Sequence, residues 1–210
     1  MIAGIILASG LSKRFGKNKL LLPFGEQRLI EHVIDQVKLS RLREIYLVYG
    51  QREQEFLNIG KKKKVSLIYN PNFSMGQSEA VKKGVQVLAG RARGILFLLG
   101  DQPFVNPCTI NRMLACFDDH PDAIILPMYR GSRGNPVLFS QRFFDEMLEL
   151  KGDQGARSII QRYPQHLIPI PIENGMELLD IDDQGDYYKA LNWMDKMVRG
   201  KHKSRFSSEV

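Results

Sequence analysis

The sequence predicts an α/β domain whose mainly parallel sheet is covered by helices on both sides. Short, nearly continuous apolar runs bounded by turn residues recur as far as residue 127, which is how strands buried on both faces read. Amphipathic helical periods fall between those runs. A chain of 210 residues with 43% hydrophobic content is large enough for one well-buried core and short for two.

The chain enters a core strand at once with IAGIILA (2–8). Leu29, Ile30, Val33, Ile34 and Val37 then share one helical face. EIYLVYG (44–50) and VSLIY (65–69) are the next strands, followed by a helix with Ala80, Val81, Val85 and Leu88 on its apolar side. Gly84 interrupts that helix, where glycine costs about 1 kcal/mol relative to Ala, so a close packing contact is expected there. GILFLLG (94–100) is a strand, Asn106 and Pro107 cap and open a helix, and AIILP (123–127) is a strand. The second half is less regular. NPVLF (135–139) reads as a short strand, residues 152–163 as a capped helix, HLIPIPI (166–172) as a Pro-marked edge strand and residues 182–197 as a closing helix. With no internal repeat or linker, residues 1–197 form one expected domain and 198–210 a basic, disordered tail.

Thirty Lys and Arg against 23 Asp and Glu give a net charge of +7, which suits an anionic partner. KKKK (61–64) reads as a solvated turn and residues 196–206 as a frayed tail. The basic runs carry no nucleic-acid recognition motif and no interleaved aromatics. Cys108 and Cys116 share one helix at a spacing that fits neither a zinc knuckle nor a disulfide framework, and the four His residues are scattered. No apolar run reaches membrane-spanning length and no signal peptide precedes the first strand, so a soluble, cytoplasmic protein is expected.

LASGLSKRFGKNKLLLPFG (7–25) follows the first strand and packs glycines and cations into one loop. Gly10 and Gly16 let the backbone approach a ligand, and Lys13, Arg14, Lys17 and Lys19 surround it with positive charge, a combination suited to polyphosphate. The spacing fits neither a Walker loop, since Lys17 is followed by Asn18, nor a G-x-G-x-x-G fingerprint. In open parallel sheets ligands bind at the carboxyl ends of strands where strand order reverses. FLLGDQP (97–103) brings Asp101 to the same sheet edge, where it either anchors Mg²⁺ or caps a turn. In DIDDQGDY (180–187), Asp182, with Asp180 in reserve, is the second candidate anchor, the other reading being a helix cap.

Taken in order, L-A-x-G-x-S-x-R-F-G-x-x-K-L-L-L-P-x-G, GDQP, RGNPVLF (133–139), GDQGAR (152–157) and DIDDQGDY resemble the molybdenum cofactor cytidylyltransferases. These lie within the nucleotidyltransferases that share a GT-A-like, MobA-like sheet. The resemblance implies a three-layer, Rossmann-like nucleotidyltransferase fold with a mainly parallel mixed sheet. It also implies transfer of CMP from CTP to the phosphate of molybdopterin with release of pyrophosphate. Arg14, Lys19 and Asp101 would be catalytic, and Asp101 and Asp182 would hold Mg²⁺. Leu7, Ala8, Ser9, Gly10, Lys19, Asn70, Gln77 and Ser78 would contact the nucleotide, with helix capping the other reading of Ser78. Asn135 and Arg157 would face the pterin, Arg157 alternatively forming a structural ion pair, and Asp153 is a candidate helix cap. A molybdenum hydroxylase of the xanthine dehydrogenase kind is the implied recipient.

The chain departs from the family pattern in two places. Asn135 stands where the family often has His, and Asp183, Gln184 and Gly185 replace Thr-Pro-Glu after the second Asp. Related guanylyltransferases usually show L-A-G-G where this chain has Leu7, Ala8, Ser9 and Gly10, so a side chain at position 9 is expected to take room that a purine needs. Three alternatives share the same residues: a guanylyltransferase, a sugar-phosphate nucleotidyltransferase, and a carrier that binds finished cofactor without catalysis.

Overall fold

The computed structural model describes residues 1–10, 15, 16 and 18–206. The long sheet has the order β10-β7-β9-β6-β1-β4-β5, its strands being β1 (Ile2–Ala8), β4 (Glu44–Tyr49), β5 (Ser66–Tyr69), β6 (Gly94–Leu99), β7 (Ile124–Tyr129), β9 (Val137–Ser140) and β10 (Leu167–Pro171). A short strand, β8 (Ser132–Arg133), folds back on β7, and β2 (Pro23–Phe24) with β3 (Gln27–Arg28) makes a separate hairpin. β1 runs parallel to β4 and β6, β4 to β5 and β7 to β10; β9 is antiparallel to both β6 and β7. The expected mainly parallel mixed sheet is thus present. Pro169 and Pro171 lie on the edge strand β10, where a missing N–H disrupts no interior ladder.

Alternation along each strand divides two cores. Ile6, Ala8, Leu96 and Leu98 face a layer that holds α1 (Leu29–Lys38), α2 (Glu53–Lys63), α4 (Pro107–Asp119) and part of α7 (Gln184–Phe206). Ala3, Ile5, Ile95 and Phe97 face α3 (Gln77–Leu88), α5 (Phe144–Leu148) and α6 (Arg157–Arg162). Those two apolar faces make the three layers. The expected contact at Gly84 is present: a Cβ there would sit 2.3 Å from Cδ1 of Ile5, so helix α3 lies directly on β1. Asn106 caps α4 as expected, its side chain accepting from the Cys108 N–H at 2.9 Å. No described helix is long and apolar enough to cross a membrane.

Three expectations are corrected. KKKK is not a solvated turn: Lys61, Lys62 and Lys63 form the last turn of α2, a mostly polar helix that hydrophobic period does not reveal. There Lys62 pairs with Glu31 at 2.6 Å, and Lys63 with Asp35 at 2.6 Å and Gln27 at 2.7 Å, locking α2 onto α1 and the β2–β3 hairpin. Residues 152–163 are not one helix, because Gly155 has φ +51° and separates a 3₁₀ turn (Gly152–Gln154) from α6. Finally, the closing helix expected over 182–197 is α7, which runs Gln184–Phe206; residues 207–210 lie outside the described residues.

Candidate active site

The chain runs from β1 through α1 to β4 and through α2 to β5 on one side, then crosses to β6 on the other side of β1. Strand order therefore reverses between β1 and β6, which opens a crevice at their carboxyl ends. Leu7 pairs with Leu99 there, and the Gly100 N–H donates to the Leu7 carbonyl at 3.0 Å. The loop after β1 and Asp101 after β6 consequently meet at one edge. A cleft of about 430 Å³ lies over it, lined among others by Ser9, Gly10, Lys19, Gln77, Asp101 and Asp182.

Lys19 is the electrostatic centre of this cleft. Its Nζ stands 2.6 Å from Asp101 and 3.3 Å from Asp182, with 14% of its side chain exposed. Burial pushes the ammonium down, but the charges and hydrogen bonds of Asp101 and Asp182 outweigh it and hold the pKa above the ordinary lysine value. Asn18 starts the 3₁₀ turn that carries Lys19, its side chain accepting from the Leu20 N–H at 3.1 Å. Asp182 does not cap α7: Asp183 does, accepting from the Asp186 N–H at 2.9 Å. With Asp183 at the cap, the Asp182 carboxylate is left facing Lys19.

A second cleft of about 830 Å³ adjoins the first, and both are lined by Leu7, Gln77, Leu99 and Asp153. It contains both expected pterin contacts, Asn135 and Arg157, together with Arg133. Leu7, Ser9, Gly10, Lys19 and Gln77, expected at the nucleotide, line the first cleft. Three of the expected nucleotide contacts do not line either cleft. Ala8 is buried in the core, and Asn70, fully buried, stands behind Ser9 with its Nδ2 3.5 Å from the Ser9 hydroxyl. Ser78 is fully buried with an unpartnered hydroxyl and does not cap its helix either, since the N-cap is Gly76. Lys13, Arg14 and Lys17 lie outside the described residues.

Asp153 and Arg133 enter the site without having been assigned to it. The GDQGAR segment marked Asp153 as a helix cap, but it caps α3 rather than the helix that follows it, accepting from the Gln77 N–H at 3.1 Å. Local sequence holds no sign of a contact across 76 residues.

Residues 4–167 match the family model of the MobA-like NTP transferase domain. The chain belongs to that family. This NTP transferase is 29% identical over 168 residues to the purine catabolism protein PucB of Bacillus subtilis, covering 76% of this chain and 80% of the relative. It is 27% identical over 187 residues to the molybdenum cofactor cytidylyltransferase of Escherichia coli, covering 89% and 93% respectively. In fold it is similar to Rv0371C of Mycobacterium tuberculosis H37Rv, solved in complex with manganese, with a TM-score of 0.74 and 24% identity across 91% of this chain and 98% of that one.

Two carboxylates of the first cleft, Asp101 and Asp182, are the candidates to hold a divalent cation. Among the described residues no group of three or more His, Cys, Asp or Glu is placed to hold a metal. Asp101 and Asp182 nevertheless converge on one cationic atom, Lys19 Nζ, and two carboxylates completed by phosphate oxygens are an ordinary magnesium environment. Asp180 is held aside by Gln102, whose Nε2 donates to it at 2.8 Å.

Burial, then the Asp101 charge, push the Asp180 carboxyl up to about 6 from 3.8, against the Gln102 hydrogen bond. The folded protein therefore binds more protons than the unfolded chain between those pH values. The Asp180 contribution to stability falls as pH rises from about 4 to 6, and the cost persists above that range. Asp180→Asn keeps an oxygen for Gln102 and removes the charge, so in metal-free buffer it is expected to unfold at higher temperature than the native protein at pH 7.5, with the gap shrinking towards pH 4. A gap of equal size at both pH values in thermal melts would disprove this.

Proposed function

We propose that this nucleotidyltransferase transfers CMP from CTP to the phosphate of molybdopterin. The observation that carries the reading is the pair of adjoining clefts, one with Lys19, Asp101 and Asp182 at a strand-order reversal, the other with Asn135, Arg133 and Arg157. The first suits a triphosphate, and the second has the volume and polarity for a phosphorylated heterocycle. The Escherichia coli relative, similar across 89% of the chain, bears the name of this activity. In the reaction an oxygen of the acceptor phosphate attacks the α-phosphorus of CTP, the bond from that phosphorus to the bridging oxygen breaks, and pyrophosphate leaves.

The protein's share is alignment and neutralisation, for which no covalent nucleophile is required. Asp101 and Asp182 would hold a divalent cation, Mg²⁺ in the cell, which when bound neutralises phosphate charge. Lys19, released from those carboxylates, turns its ammonium to the triphosphate and stabilises the charge gathering on the leaving pyrophosphate. Arg14 serves the same triphosphate. Gln77 separates the nucleotide from the acceptor, and Arg133, Asn135 and Arg157 orient the pterin. The enzyme acts in the cytoplasm and hands its product to a molybdenum hydroxylase; the Bacillus subtilis relative's name, a purine catabolism protein, suits a recipient that oxidises purines.

The test is pyrophosphate release with molybdopterin and each of CTP, GTP, UTP and ATP, where CTP is expected to be used best. Base choice is assigned to Ser9, which is 6% exposed and lines the nucleotide cleft. Ser9→Gly is expected to raise the GTP to CTP ratio of kcat/KM about tenfold, in line with the discrimination that one small group supplies. An unchanged ratio would sink that assignment without touching the reaction itself.

A further inference from the structure

The two clefts are joined by one contact between segments distant in sequence. Helix α3 starts at Gln77, and its N-cap position is Gly76, which has no side chain to satisfy the first-turn N–H groups. Asp153 supplies the missing acceptor from the loop before α6, taking the Gln77 N–H at 3.1 Å. The backbones approach so closely that a Cβ on Gly76 would lie 2.6 Å from the Gly152 carbonyl oxygen, and the φ of +112° at Gly76 also favours glycine. On the far side of the loop a Cβ on Gly155 would lie 2.9 Å from Oε1 of Gln77. Asp153 and Gln77 both border the nucleotide cleft and the acceptor cleft, and Arg157, in the acceptor cleft, begins the helix that this loop leads into. Ser, Asp or Asn at the N-cap is the ordinary way to cap a helix, but the φ and the close Gly152 backbone exclude a side chain at position 76, so the acceptor comes from the other cleft's loop instead.

We propose that Asp153 is a positioning residue for the transfer step. By capping α3 from the acceptor loop it holds Gln77 at the seam and keeps the two clefts in one fixed relation, so that the acceptor phosphate meets the α-phosphate of the nucleotide. The inference rests on the two-substrate reading above. A displacement of about 1 Å between reacting groups costs on the order of 100-fold in rate, so the effect belongs in kcat rather than in nucleotide affinity.

The experiment compares native protein, Asp153→Ala and Asp153→Asn. Asp153→Ala is expected to lower kcat about 10- to 100-fold while its Kd for CTP, from calorimetry without acceptor, stays within about threefold of native. Asp153→Asn, whose amide oxygen still accepts from Gln77, is expected to recover kcat to within about threefold. An unchanged kcat in the Ala variant overturns the proposal. So does an Asn variant as impaired as the Ala variant, because the charge would then act on the ligand directly. Hydrogen exchange of the Gln77 and Ser78 amides is read on the same three proteins and needs no acceptor. Faster exchange in the Ala variant, restored in the Asn variant, is expected, and unchanged exchange overturns the cap and the proposal with it. Native protein that releases no pyrophosphate with molybdopterin would instead refute the reading of the reaction, leaving the exchange result to decide the seam.

Discussion

Asp101→Asn is expected to leave the fold intact and to cut turnover by roughly 10²- to 10³-fold. Its backbone role survives the change, since the Asp101 carbonyl still accepts from the Ile181 N–H at 3.1 Å and ties the end of β6 to the segment before α7. The carboxylate is what goes. A neutral amide is a poor ligand for a hard cation, and the metal's contribution to phosphate charge stabilisation is worth several kcal/mol, at about 1.4 kcal/mol per factor of ten. Steady-state pyrophosphate release measures the loss, and calorimetry of CTP with Mg²⁺ shows whether it lies in binding. Turnover within about threefold of native would remove Asp101 from the catalytic centre. The same variant tests the electrostatics independently. After burial, the Asp101 charge is the main cause of the raised pKa of Asp180, so that group is expected to titrate lower in Asp101→Asn.

Lys19→Met is expected to separate two properties that usually move together. The Lys19 ammonium is in contact with both carboxylates that would receive a cation. A divalent ion arriving alone must displace it, whereas one arriving with the triphosphate gives Lys19 new anionic partners. Without Lys19, Mn²⁺ alone is expected to bind the nucleotide-free protein about tenfold more tightly, while CTP turnover falls about 100-fold. Titration with Mn²⁺ and steady-state kinetics read the two effects, and an unchanged Mn²⁺ affinity would show that Lys19 does not stand in the cation's way. The variant is also expected to be less stable without metal at pH 7. The folded pKa of Lys19 lies above 10.5, so its ion pairing contributes fully below that value and is lost only as pH rises through the folded pKa.

The elements that read well from sequence are those whose residues reveal their surroundings locally. β1, β4, β6 and β7 are largely apolar because helices cover both sheet faces, α1 and α3 each carry an apolar stripe, and Asn106–Pro107 marks a helix start by itself. Helix α2 did not read as a helix, because only Phe56, Ile59 and Gly60 of it are buried and its lysines are satisfied by Glu31 and Asp35 from another helix. At the site the same division holds. Glycine and cations after β1 and Asp101 after β6 raise the expectation of a phosphate site from residue type and spacing alone. Asn70 and Ser78, also expected at the nucleotide, are fully buried instead, and nothing in their neighbours' identity shows which way they point.

The chain alone therefore settles the α/β layering and the family, since each depends on residue type and short spacing. The folded molecule was needed to show that Lys19 lies between Asp101 and Asp182, that Asp183 rather than Asp182 caps α7, and that Asp153 crosses to α3. The Lys19 and Asp153 contacts join segments far apart in sequence, and their partners are chosen by how the sheet brings strand ends together, a geometry that no local pattern encodes.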